Sequence, residues 1–184
     1  MFNKIFWGFI FLFDFRIQGV DILPDIIGYI MIYSALNYLA SESDYFYQAR
    51  RFALPLAIIS IADIYEFKID TGMFDPLYVV LFISSIVATV LSLMMIYNIC
   101  YGIAEMARNK EEYPLEKMAI KRWEIYLYIT MGVFIFTLIG SVMPQVLILL
   151  FLPIFIGAIV KMIILLELFK KANRCLEEKD ILRS

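Results

Sequence analysis

The sequence predicts an all-α integral membrane protein: one domain over residues 1–184, six transmembrane helices, both termini cytoplasmic. Three observations predict it. Hydrophobic residues make up 62% of the chain, charged residues 18%, and the mean hydropathy is +0.81. A soluble domain averages roughly 45–50% apolar and about 25% charged residues. The apolar residues also gather into six runs, each close to the roughly 17–25 residues that cross a bilayer as a helix. Finally, the basic residues sort between alternate connections.

The first run covers approximately 2–17. Its clean apolar part is short, because Asp14 and Arg16 follow it directly. Lys4 ahead of an apolar stretch resembles a signal peptide, but no small-residue cleavage site follows, so the segment is read as retained. The second run, 24–40, opens on Pro24, which a first helical turn tolerates because that position needs no amide donor. A polar connection with Ser41, Glu42, Ser43 and Asp44 follows, and 44–51 mixes aromatics with Gln48, Arg50 and Arg51 in the manner of an interfacial segment. The third run is 52–67. Its loop holds Thr71-Gly72 and Asp75-Pro76, both chain breakers. The fourth run, 77–100, continues as helix to about Ala107. The stretch 108–122 reads as a charged connection. The fifth run is 123–142, Pro144 marks a tight turn, and the sixth is 145–169, with Pro153 expected to kink it. An amphipathic charged tail ends the chain.

Six spans place both termini on one side. That side carries Lys4, Arg50, Arg51, Arg108, Lys110, Lys117, Lys121, Arg122, Lys170, Lys171, Arg174, Lys179 and Arg183, thirteen of the sixteen basic residues. The other side holds Arg16 and Lys68, and Lys161 lies within a span. Cytoplasmic connections concentrate Lys and Arg, so the termini are expected inside a bacterial cytoplasmic membrane. Trp7, Tyr45, Tyr47, Tyr65, Trp123, Tyr126 and Tyr128 sit near span ends, as interfacial aromatics do.

The outer side is acidic. Asp14, Asp21, Asp25, Asp63, Glu66, Asp70 and Asp75 fall on or near it. Such a cluster suits a cation, a cationic ligand or a hard metal ion. An ordinary solvated face explains it as well, and Asp25 is favoured by the dipole of its own helix N-terminus. The densest charges are Asp14, Arg16, Asp21 and Asp25, with Asp63 nearby. Arg16 between aspartates offers an internal ion pair, so this stretch reads either as the mouth of a ligand site or as a lock on a helical hairpin.

The run Asp14-Phe15-Arg16-Ile17, followed by Asp21-Ile22-Leu23-Pro24-Asp25-Ile26-Ile27-Gly28-Tyr29, resembles the N-terminal signature of an uncharacterised family of small polytopic membrane proteins of Firmicutes. Gly102-Ile103-Ala104-Glu105-Met106-Ala107 and Arg122-Trp123 with Tyr126 are similar to the same pattern. The resemblance covers most of the chain. It implies location and span count, and supplies no activity.

Lys161 is the basic residue deepest in a span. Pro153, Gly157 and Lys161 repeat at i, i+4, i+8 and share a helix face. Glu124, at the inner end of the fifth run, is a candidate partner. Snorkelling toward the headgroups is the plainer account. Ser85, Thr89 and Ser92, with Thr137, Gly140 and Ser141, set small residues at helix-packing intervals; a polar transport path is the sharper alternative. Asn37 and Asn98 suit hydrogen bonds between helices.

Several chemistries are excluded. The chain has no histidine, which removes serine–histidine catalysis, zinc proteases and histidine-ligated haem. It has no phosphate-binding glycine loop, and Cys100 and Cys175 are spaced as free thiols. No cofactor is called for. The net charge of −2 points away from nucleic acid, leaving the bilayer, another membrane protein or a second copy of the chain as partners. Three readings result. The first is a protein binding or transporting a small or cationic ligand from the acidic outer face. The second is an accessory, assembly or immunity subunit docking through 108–122 and the tail. The third, an intramembrane aspartyl-type enzyme, has least to support it.

Overall fold

The computed structural model describes the backbone of residues 1–12, 16–17, 20–21, 25–62 and 76–178. Among them are six α-helices: α1 (Phe2–Phe11), α2 (Asp25–Leu39), α3 (Asp44–Ala62), α4 (Pro76–Asn109), α5 (Tyr113–Val142) and α6 (Pro144–Ala172). Two-residue strands β1 (Arg16–Ile17) and β2 (Val20–Asp21) pair antiparallel between α1 and α2. A π-helical turn, Asn173–Glu178, extends α6.

Three of the six helices are long and apolar enough to cross a membrane, within Phe82–Asn109, Tyr113–Gly140 and Leu149–Glu177. The expectation of six such spans is corrected for the other three. At 1.5 Å per residue, α1 is about 15 Å long and α2 about 22 Å, short of a hydrocarbon core of roughly 30 Å. α3 has 19 residues, but its first two turns carry Asp44, Gln48, Arg50 and Arg51, and apolar sequence begins only at Phe52. Little of the three long stretches, 22%, 17% and 11% in chain order, is buried by protein. Their apolar side chains face outward, as helices solvated by lipid do.

A second correction concerns 108–122. The charged connection is mostly helix, because α5 begins at Tyr113 and the turn is only 110–112. Pro114 fits the first turn, where no amide partner is lost. Leu115 and Ala119 are buried at i, i+4 while Lys117 and Lys121 stay exposed, so the segment is amphipathic rather than unstructured. The preceding helix stops because Glu111 adopts a left-handed conformation (φ 59°). Its amide then reaches the Arg108 carbonyl, and the Glu112 amide reaches that of Ala107. This satisfies carbonyls a helix end leaves open, at a turn usually made by glycine.

The chain divides into two compact units, 1–102 and 103–184. In the first, α1 packs on α2 and α2 on α3. α1 and α2 meet at two glycines. A Cβ on Gly28 would stand 2.7 Å from the Gly8 carbonyl oxygen, and one on Gly8 would stand 2.9 Å from that of Gly28. Lipid tails are as apolar as leucine, so helices in a bilayer associate by such close packing rather than by the hydrophobic effect. At the other end of α1, Phe2 is fully buried and its ring meets Phe46 edge-on at 6.1 Å. Phe46 in turn packs on the bare backbone of Gly102. In the second unit, α5 and α6 form an antiparallel hairpin, joined at Met143. Burial there gathers at one end, in Leu115, Ala119 and Tyr126 of α5 and Leu165, Leu168, Phe169 and Ala172 of α6.

The glycine crossing predicts a stability series. Gly28→Ala must force α1 and α2 apart, since the obstacle is backbone, and should cost about 1–3 kcal/mol. Gly132→Ala, which meets nothing within 4 Å, should be neutral or gain up to about 1 kcal/mol from helix propensity. Thermal midpoints in one detergent decide between the two.

Candidate functional site

The acidic site begins with the register of the short strands. Arg16 pairs with Asp21, and Ile17 with Val20. Directly opposed residues of an antiparallel pair share one face, with Cβ atoms about 4.5–5.5 Å apart. The backbone register therefore sets position 16 across from position 21, at the link between α1 and α2. Four residues on, Asp25 opens α2, where the partial positive charge of the helix N-terminus favours a carboxylate. Gly28 follows one turn later. Asp14 and Asp63, like Glu66, Asp70 and Asp75, lie outside the described residues. Among the described residues no group of three His, Cys, Asp or Glu side chains is placed to hold a metal.

At the opposite end of this unit, polar contacts join neighbouring helices. Arg50 of α3 donates to the Asn37 side-chain oxygen of α2 at 2.5 Å and lies over the Tyr47 ring. Lys4 of α1 lies over Tyr38 of α2 at 5.5 Å. Tyr45 of α3 and Tyr97 of α4 both meet Tyr101. Asn37 thus bonds between helices, as its position suggested. Asn98 does not: it is buried and donates to the Met94 carbonyl of its own helix.

The second unit carries the charged contacts. Arg108 donates to Glu116 through two nitrogens at 2.8 and 2.5 Å, which ties α5 back to the end of α4. Lys110 donates to the Leu176 carbonyl oxygen at 2.7 Å, bringing the 110–112 turn to the tail. Arg122 of α5 and Glu167 of α6 form an ion pair across the hairpin. Deeper in the hairpin, the Lys161 ammonium lies 5.4 Å from the centre of the Tyr126 ring. Such a contact contributes about 0.5–2 kcal/mol, against roughly 2.5–3.5 kcal/mol for a lysine at the centre of a spanning helix. One turn further, Gly157 lets Ile129 and Val133 approach. Glu124, the partner suggested from sequence, is exposed. It lies two residues from Tyr126, about 200° round α5, and is not brought to Lys161. Tyr126 took that place, and the signal for it was its i, i+4 spacing from Arg122.

The small polar residues of the long helices bond within their own helices. Ser85, Thr89, Ser92 and Thr137 donate to Phe82, Ser85, Thr89 and Val133 carbonyls respectively. This is how hydroxyls are satisfied in lipid without a polar partner. Cys100 is buried and both cysteines are free thiols. Of the expected interfacial aromatics, Trp7, Tyr47 and Tyr128 are exposed, Tyr126 is buried, and Tyr65 lies outside the described residues.

No family model, curated protein or solved structure matches the chain.

The Arg16–Asp21 register predicts a coupling. Arg16→Glu and Asp21→Lys should each lower the thermal midpoint, and the double reversal should restore most of the loss. A double-mutant cycle should return about 0.2–1 kcal/mol. A coupling of zero would remove the hairpin-lock role.

Proposed function

We propose that this protein is a multi-spanning, non-catalytic component of a bacterial cytoplasmic membrane that acts by docking another membrane protein at its inner face. The observation carrying this reading is the contact of Lys110 with the Leu176 carbonyl oxygen. It joins the two charged segments into one built surface, stiffened by Arg108–Glu116 and Arg122–Glu167. Lys117, Lys121, Lys170, Lys171 and Arg174 are exposed on it. The partner that fits is an acidic cytoplasmic segment of a membrane protein.

Orientation follows from charge. The thirteen basic residues favour both termini inside. The α1–α2 hairpin fits at any depth, because Lys4 over Tyr38 and Phe2 against Phe46 bring its entry and exit together. Six crossings is the finer form of this topology, with the short first helices spanning a locally thinned layer. The resemblance to small Firmicutes membrane proteins agrees with it.

A second reading has one observation in its favour: the register of Arg16 and Asp21, followed by Asp25, concentrates charge at the α1–α2 link. A cationic ligand at the outer face would use these carboxylates.

Docking is tested on exposed charges only. Cutting the tail after Phe169 would remove buried Ala172 and Leu176, confusing docking with folding. Reversal of Lys170, Lys171 and Arg174 to Glu should abolish co-purification of the partner from host membranes and leave the thermal midpoint within about 0.5 kcal/mol-equivalent of wild type. An unchanged partner yield refutes the docking reading. For the second reading, Asp21→Asn with Asp25→Asn should abolish stabilisation by a polyamine probe, measured as a midpoint shift; equal shifts in variant and wild type would reject it.

A further inference from the structure

We propose that Lys161, seated over Tyr126 in the α5–α6 hairpin, binds the phosphate of an anionic phospholipid. The inference needs the membrane location alone and stands apart from the docking reading. Its basis is a position, a missing charge and an opening.

The position comes from the hairpin register. Arg122 reaches Glu167 at one level, and Ile129 and Val133 reach Gly157 at another. Tyr126 and Lys161 face each other between them. Lys161 is six residues from Glu167, about 9 Å along the axis from the ion pair. Lys121, Lys170 and Lys171 stand exposed at the charged end, while Ile156, Val160 and Ile163 are exposed beside Lys161. The ammonium thus sits where headgroup gives way to acyl chain.

The missing charge is a counter-ion. Among the described residues no carboxylate is within ion-pair distance of Lys161, whose contact is the Tyr126 ring. Glu167 is engaged by Arg122, and Glu124 is on another side of α5. A ring attracts a cation through its quadrupole but neutralises nothing. Among the described residues nothing supplies the anion, and we assign that role to a group from the bilayer. Lys161 is half-buried rather than sealed in the hairpin, which leaves its side chain partly accessible to an approaching group.

Lipid supplies the matching chemistry. A phospholipid phosphate lies immediately above its acyl chains, and basic pockets between spanning helices at the headgroup level hold such groups. A zwitterionic lipid brings its own cation; an anionic one has net charge to give. The site therefore selects phosphatidylglycerol over phosphatidylcholine. A lysine that merely snorkels reaches headgroups of either kind without preference.

Native mass spectrometry of the full chain tests this, with equimolar phosphatidylglycerol and phosphatidylcholine in mixed micelles. Wild type should retain phosphatidylglycerol about fivefold over phosphatidylcholine, the scale of one basic residue at an anionic surface. Lys161→Met should erase the preference, Lys161→Arg should keep it, and Lys121→Met, removing an exposed lysine nearby, should leave it unchanged. Should Lys161→Met fail to fold, Lys161→Gln tests the same loss of charge. Equal retention of the two lipids by wild type overturns the proposal. So does a preference surviving in the uncharged variant, or an equal loss in Lys121→Met, which would make it a property of the general basic surface. Full displacement by millimolar inorganic phosphate assigns the site to a free anion and overturns it too.

Discussion

Hydrocarbon offers a peptide group no hydrogen bond, and each unmet amide or carbonyl in a bilayer costs several kcal/mol. The long elements here are accordingly helices, each closing its own backbone bonds. The same scarcity governs the side chains. Ser85, Thr89, Ser92 and Thr137 turn their hydroxyls onto carbonyls of their own helices, where lipid could not serve them. In the 110–112 turn, the Glu111 and Glu112 amides meet carbonyls that the end of α4 leaves open, and the Lys110 side chain meets the Leu176 carbonyl.

Once burial in lipid is free for apolar groups, contacts among helices must come from fit and from charge. Gly8 against Gly28 and Phe46 against Gly102 supply fit. Arg122–Glu167 supplies charge at the level where water still screens it. Lys161 is the exception, since its level is apolar and, among the described residues, a ring alone answers it. That imbalance is what a headgroup would correct.

Much of this was legible from residue order. Helix count and helical class followed from six apolar runs, and α6 was placed within a few residues of its ends. Three matters were not legible. Apolar length was overread in the first three runs, where charges at 14, 16, 50 and 51 shorten what lipid can cover. The start of α5 was placed ten residues late, since charge density in 113–122 hides the buried pair Leu115 and Ala119. The partner of Lys161 was sought among carboxylates, because opposite charge is what one sequence displays. Tyr126 is recognisable only once the hairpin register aligns it. The register that sets Arg16 opposite Asp21 depends on a turn whose geometry residue identity alone does not specify.

Phe2 is wholly buried, and the ring that covers it, Phe46, is itself seated on Gly102. Phe2 thus waits for Gly102, a hundred positions later in the chain, before its surroundings are complete. α1 is a helix of only 10 residues, too short to be held across a bilayer by length. During synthesis its contact with α2 across the two glycines must shelter it until Gly102 has been made. A fusion partner attached directly ahead of Met1 would crowd that closing step, whereas one joined to the C-terminus would meet a unit whose long helices are already long enough to stay.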